Sequence, residues 1–283
     1  MTPKLRVAFV TPEVSPFCRS SKLADFSAAL PRRLAAHGVD VLLVVPKYGT
    51  PESGLLETAP ALLSLSVPMD GDRVRAGVFA AQRDGTRIRL IDHPKYFLRD
   101  KIYGPAGANY LDNDERFIFF SRAVTELLLT FDPPLDVVHC QDWPTALVPV
   151  FLKTHYRDAP ALRRTATVLT LHSPAEQGHF PPESLAWTGL NWDFFNRSQL
   201  GLNGQFNFLK AGIAYADVVS VTGPAQERAL LSQKHGHGLD GILRRRGETF
   251  ASVPSGTDDD SWDAAARGYI ELYERALEIK RGG

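Results

Sequence analysis

The residues best placed for chemistry begin in the loop over 12–22, between an expected strand and an expected helix. It carries Arg19-Ser20-Ser21-Lys22 and no glycine; the first glycine of the chain is Gly38. Free N–H groups at the start of a helix favour an anion. Close approach of backbone to a phosphate, however, ordinarily uses glycine at this turn. Arg19 and Lys22 are thus candidates to hold an anion, set against the simpler reading of a solvated basic loop. Asp142 is placed either to touch a ligand or to cap a helix opening at Trp143-Pro144. Trp143 is either a ligand platform or part of the core. His172, after a strand, is either a ligand group or hydrogen-bonded packing. Cys18 and Cys140 fall at the ends of two strands expected to be neighbours. With His139 and His172 they could mimic a metal site, but no ligand spacing supports one. No metal and no cofactor are expected, and no residue is assigned a catalytic role.

Positioning these groups requires alternating strands and helices. A strand over 5–11 leads to a helix over 23–37, with Gly38 where a C-terminal cap belongs. The apolar run 41–45 suits a sheet covered on both faces. Segments 62–67, 74–80 and 87–91 are separated by Asp70-Gly71-Asp72 and Asp84-Gly85, which predicts an antiparallel excursion of hairpins. Phe117, Phe120, Val124, Leu127 and Leu128 have helical spacing within 113–131. A strand over 136–140, a helix over 145–155 and a strand over 165–171 follow. Segment 173–203 holds three prolines and the aromatics Trp187, Trp192, Phe194 and Phe195, and reads as a long loop with short helical pieces. Beyond it come a helix over 207–215, a strand over 217–221, a helix over 224–233, a turn over 235–238, a short basic helix over 239–246 and a strand over 250–253. Ser261 is placed to cap a last helix over 262–280, with Trp262, Ala266, Ile270, Tyr273 and Leu277 on one face. This alternation predicts an α/β, doubly wound, mainly parallel sheet in a single Rossmann-like domain over 1–260. Residues 261–283 are expected to pack back on it as a helix.

The bulk composition excludes several functions. The 283 residues are 44% hydrophobic and 23% charged, and 32 basic residues balance 32 acidic ones. A formal charge of zero provides no long-range pull toward nucleic acid or anionic lipid, so neither is an expected partner. No apolar run approaches the roughly 20 residues needed to span a bilayer. Met1-Thr2-Pro3-Lys4-Leu5-Arg6 lacks a signal-peptide core, and two cysteines form no disulfide framework. A reducing, cytoplasmic setting is expected.

An ordered set of motifs resembles a known family. Phe9-Val10-Thr11-Pro12-Glu13-Val14 and Leu23-Ala24-Asp25 open it. Pro46-Lys47-Tyr48-Gly49, Asp92-His93-Pro94-Lys95-Tyr96-Phe97 and Asp136-Val137-Val138-His139 follow. Then come Asp142-Trp143, His172, Gln177-Gly178, Asn203-Gly204-Gln205, Phe208-Leu209-Lys210-Ala211-Gly212 and Gly238-Leu239-Asp240-Gly241. Together they resemble the N-terminal domain of bacterial glycogen synthase and plant starch synthase, glycosyltransferase family 5 enzymes of the GT-B fold. The resemblance implies the N-terminal half of that fold. It places Arg19, Ser20, Ser21, Lys22, Asp25, Asp142, Trp143, His172, Gln177 and Asn203 at a ligand site, with Asp142 and His172 toward sugar hydroxyls.

Departures from the family pattern shape the expected function. The family's KTGGL is here Arg19-Ser20-Ser21-Lys22-Leu23, so Ser21 and Lys22 stand where two glycines would meet a nucleotide diphosphate. After Ser255-Gly256-Thr257-Asp258 the chain passes to Ser261-Trp262 rather than to a second Rossmann domain. The expectation is a catalytically inactive, glycogen-synthase-like module that binds, scaffolds or regulates through its crevice face. Its partner would be another protein or a second copy, with an α-glucan as a further candidate. Asp142-Trp143, His172 and Lys210 motivate the alternative: transfer of glucose from ADP-glucose to an α-1,4-glucan, alone or as a half-enzyme with a partner chain. A third reading is a glucan-binding module without catalysis.

Overall fold

A computed structural model of the protein describes residues 4–55, 60–106 and 108–282. Met1, Thr2 and Pro3, part of the N-terminal segment considered above, lie outside the described residues. The strands are β1 (Arg6–Val10), β2 (Asp40–Pro46), β3 (Ala61–Met69), β4 (Asp72–Arg83), β5 (Thr86–Asp92), β6 (Val137–Gln141), β7 (Ala166–Leu171), β8 (His179–Phe180), β9 (Gly201–Leu202), β10 (Gln205–Asn207), β11 (Val218–Val221) and β12 (Phe250–Ser252). The helices are α1 (Lys22–Ala36), α2 (Pro94–Phe97), α3 (Asn113–Leu128), α4 (Leu147–Lys153), α5 (Phe208–Tyr215), α6 (Pro224–Leu231), α7 (Asp240–Arg246) and α8 (Asp259–Gly282).

Nine strands form one sheet in the order β12-β11-β7-β6-β1-β2-β5-β4-β3. Pairings from β12 across to β5 are parallel, and β5-β4-β3 is an antiparallel meander. Val7, Ala8, Phe9 and Val10 of β1 are fully buried, as a strand covered on both faces requires. The two hairpin turns are Asp70-Gly71 and Asp84-Gly85, with all four residues at positive φ. That is the backbone twist a two-residue hairpin needs. Both strands of the outer hairpin run longer than their hydrophobic pattern indicates, and in β4 the ladder continues into the exposed polar residues Asp72, Arg73, Gln82 and Arg83.

Helix α1 is capped at both ends. Ser21 Oγ accepts from Leu23 N, and Gly38 follows the helix at φ +90° with its N–H on Ala35 O. The helix expected over 145–155 is instead a 3₁₀ turn, Trp143–Thr145, followed by α4. Segment 173–203 contains short helical pieces, but it also contributes strands β8 and β9. With β10 these form a small antiparallel sheet in the order β8-β10-β9. Pairings of two or three residues carry no periodicity from which to predict them.

Helix α8 begins at Asp259, so Ser261 is not its cap. Asp258 Oδ1 accepts from Ser261 N at 2.9 Å, and Ser261 Oγ accepts from Asp258 N at 3.0 Å, a reciprocal cap one turn earlier. The helix buries Ala265, Ala266, Tyr269, Leu272, Tyr273 and Ala276 against the sheet and α1. Phe26 of α1 meets Trp262 and Tyr269 at ring separations of 5.6 and 6.0 Å. At the centre, buried His139 shares hydrogen bonds with Tyr273 Oη (2.7 Å) and Thr170 Oγ1 (2.6 Å). Among the described residues, no helix is long and apolar enough to cross a membrane.

Candidate functional site

The chain runs from β1 to β2 in one direction and later adds β6 on the other side of β1. In an open parallel sheet, this reversal leaves a crevice at the carboxyl ends of the two strands. A cavity of about 660 Å³ lies there. Its walls come from the loops after β1 (Glu13, Ser20, Ser21), β6 (Asp142, Trp143) and β7 (Ser173, Glu176, Gln177), closed by Tyr103, Asn109 and Asn113.

Glu13 anchors the glycine-free loop. One carboxylate oxygen accepts from Ser20 N (2.6 Å) and Ser21 N (2.8 Å), and the other from Ser21 Oγ (2.8 Å). This corrects the expectation that N–H groups at the start of α1 stay free for an external anion. The carboxylate of Glu13, in the same loop, occupies that position, where the helix end favours negative charge. Arg19 is tied to Asp25 at 2.8 Å, and Ser15 Oγ donates to the same carboxylate. Lys22 is exposed and is not among the residues that line the crevice. The space beside Ser21 is therefore open rather than filled by the lysine.

Asp142 holds a second loop and does not cap a helix. It sits at φ +54°, a strained position for a residue other than glycine. Its carboxylate accepts from His172 N at 2.8 Å and from Ser173 N at 3.3 Å. The side chain thereby clasps the loop after β7 to the loop after β6. Burial pushes its carboxyl up to about 7 against the opposing pull of those N–H groups. Such a group exchanges a proton near neutral pH, as acid–base residues do.

Trp143 is both wall and core. It is 8% exposed and packs on Phe117, Tyr103, Phe180 and Phe208 at ring separations of 4.9–6.3 Å. Gly178 lies against its indole at φ +63°, where an added Cβ would stand 2.6 Å from the ring. Only glycine fits that approach.

The remaining candidates lie elsewhere. His172 packs edge-on against Phe26 at 4.6 Å, and its Nε2 donates to Gln141 Oε1 at 2.8 Å. Burial pushes its imidazole down to about 3, so the ring is neutral. It is not among the residues that line the crevice. Gln177 does line it, but its amide is spent within the protein, on Pro174 O, His237 O and Asn207 Nδ2. Asn203 turns the β9–β10 hairpin and lines a separate cavity. Cys18 lies in the loop after β1 rather than at the strand end, paired with Val14, while Cys140 is in β6 beside Val10. Among the described residues, no group of three or more His, Cys, Asp or Glu is arranged for a metal.

Glu13, Tyr103, Asn113 and Glu176 are crevice residues that sequence reasoning missed. An acid near the start of a strand-to-helix loop without glycine is a signal for Glu13. Tyr103 and Asn113 meet directly, Asn113 Nδ2 donating to Tyr103 O at 2.8 Å, and fully buried Arg116 holds Asn113 in place by donating to its Oδ1 (2.6 Å) and to the carbonyls of Tyr96 (2.7 Å) and Ile102 (2.9 Å). Nothing in their spacing shows that.

Comparison with known proteins places this architecture. The model of the starch synthase catalytic domain matches residues 6–245. Glycogen synthase 2 of Geobacter sulfurreducens is 36% identical over 278 residues, which cover 98% of this chain and 57% of that protein. Glycogen synthase of Koribacter versatilis is 37% identical over 267 residues, 94% of this chain and 54% of its own length. The chain thus spans little more than half the length of these curated relatives. The catalytic domain of starch synthase IV from Arabidopsis thaliana, solved with ADP and acarbose, superposes with a TM-score of 0.80 at 26% identity, over 92% of this chain and 53% of that one. With a family model matched over most of its length and a sheet to fit, the chain belongs to the starch synthase catalytic domain family.

Proposed function

We propose that this chain forms the glucan-side part of a glycogen or starch synthase-type glycosyltransferase, which moves glucose from a nucleotide sugar such as ADP-glucose to an α-1,4-glucan. The crevice at the β1–β6 switch point carries this reading. Its volume of about 660 Å³ suits a few sugar units, within the roughly 300–1,000 Å³ usual for ligand pockets. Carboxylates and amides on its walls (Glu13, Asn109, Asp142, Glu176) match a polyhydroxylated ligand, and Trp143 and Tyr103 supply apolar surface. The names of the relatives point the same way. Sugar transfer also needs positive charge on the departing diphosphate. Arg19 is committed to Asp25 and the loop N–H groups to Glu13, so that charge must come from groups beyond this crevice. A second Rossmann-like domain is the expected source.

One observation favours a second reading, a binding or scaffold module without catalysis whose partner is a protein, a second copy or an α-glucan. The Glu13 carboxylate already fills the place where a phosphate would meet the loop.

The test is incorporation of labelled glucose from ADP-glucose into glycogen by the pure chain, with and without a separately produced second domain of a related glycogen synthase. Incorporation that depends on the added domain and falls at least about tenfold in Asp142→Asn is the expected result. No incorporation in either mixture, with the chain still co-sedimenting with glycogen, would leave the binding reading.

A further inference from the structure

A second cavity, of about 600 Å³, lies beside β9, α5 and α7, apart from the crevice. Three of its residues are cations, Arg197, Lys210 and Arg245, and none is acidic. Lys210 is 4% exposed. Its ammonium donates to the backbone oxygens of Arg197 and Gly201 and meets no carboxylate among the described residues. An ammonium has three donors, so one remains for the cavity. A charge removed from water without a counter-ion is unfavourable. The side chains of Arg197 and Arg245 are exposed and make no hydrogen bond or ion pair among the described residues. Nearby Asp240 is already bound to Arg244. Three mutually repelling cations around an open cavity form an incomplete arrangement, and a multiply charged anion completes it. Guanidinium forks suit phosphate oxygens in particular.

We infer that this cavity binds a small phosphate monoester, with the phosphate between Arg197, Arg245 and Lys210 and the organic part against Phe195 and Asn203. Both of the latter line the cavity. The inference does not depend on what the crevice binds. The site is not isolated from the crevice, because Gln177, a crevice residue, donates to the carbonyl of His237 next to cavity-lining Gly238.

Calorimetric titration of the full chain tests the assignment with four probes: inorganic phosphate, glucose 1-phosphate, AMP and sulfate. Saturable binding of glucose 1-phosphate or AMP is expected, tighter than sulfate. The better of the two identifies a sugar or a nucleoside as the organic part. In Arg197→Ala/Arg245→Ala, whose altered side chains hold nothing in place, affinity should fall at least about tenfold, the loss expected for charge-assisted hydrogen bonds. In Arg19→Ala/Lys22→Ala it should stay unchanged. Three results would each overturn the inference: no saturable binding of either monoester, sulfate binding as tightly as the monoesters, or a loss that follows the Arg19/Lys22 pair.

Discussion

Asp142 answers to two demands at once. Its carboxylate must accept from the backbone of His172 and Ser173, yet burial penalises its charge and pushes its carboxyl up to about 7. An unfolded aspartate titrates near 3.9, and each unit of separation is about 1.4 kcal/mol. A folded value above the unfolded one stabilises fully below the unfolded value. That contribution, roughly 4 kcal/mol at most, is lost as pH rises toward 7. Asp142→Asn keeps an acceptor for both N–H groups and cannot ionise. Its melting temperature relative to wild type should therefore rise by several degrees between pH 5 and pH 8 in thermal unfolding. A difference that stays flat with pH would refute the buried, titrating carboxylate. His172 acts in the opposite sense: with its ring held down to about 3 by burial, its contribution is lost as pH falls below about 6.5. Comparing the variant with wild type removes that common background. Asp142 was legible in the sequence as a residue of interest. Its partners lie thirty positions away, so its job as a clasp was not.

At the scale of elements, the loop between β1 and α1 shows how a segment without glycine is ordered. Glu13 is 1% exposed and its carboxylate receives three hydrogen bonds from Ser20 and Ser21. Glu13→Ala leaves those donors without their partner and should destabilise the protein by about 2 kcal/mol in urea unfolding, the range for hydrogen bonds to a charged group. A change within about 0.5 kcal/mol, as for an ordinary surface substitution, would show that the loop holds itself. The strands, the Asp-Gly hairpin turns and the glycine ending α1 were legible because propensity, period and turn chemistry act within a few residues. The β8-β10-β9 sheet was not. Each of its strands has two or three residues, and their pairing depends on contacts across the fold.

On the scale of the molecule, α8 closes the core from the far end of the chain. Its Tyr273 meets His139 at 2.7 Å, and its Tyr269 and Trp262 pack on Phe26. A chain ended at Asp258 uncovers the apolar surface under Ala265, Ala266, Tyr269, Leu272, Tyr273 and Ala276 and leaves buried His139 short of a partner. It should bind a hydrophobic dye and lose its cooperative thermal transition. A truncated chain that melts as wild type does would overturn this role for the helix. The alternation of strands and helices, the doubly wound class and the family were all readable along the chain, because these rest on local patterns and motif order. The tertiary structure alone decided which candidates share a site. It put Ser20, Ser21, Asp142, Trp143 and Gln177 on one crevice, turned Arg19, Lys22 and Asp25 outward, set His172 behind the wall and sent Asn203 to a second cavity. The physical reason is that a side chain's role follows from the partners and burial it meets in space, and those are supplied by residues tens of positions away.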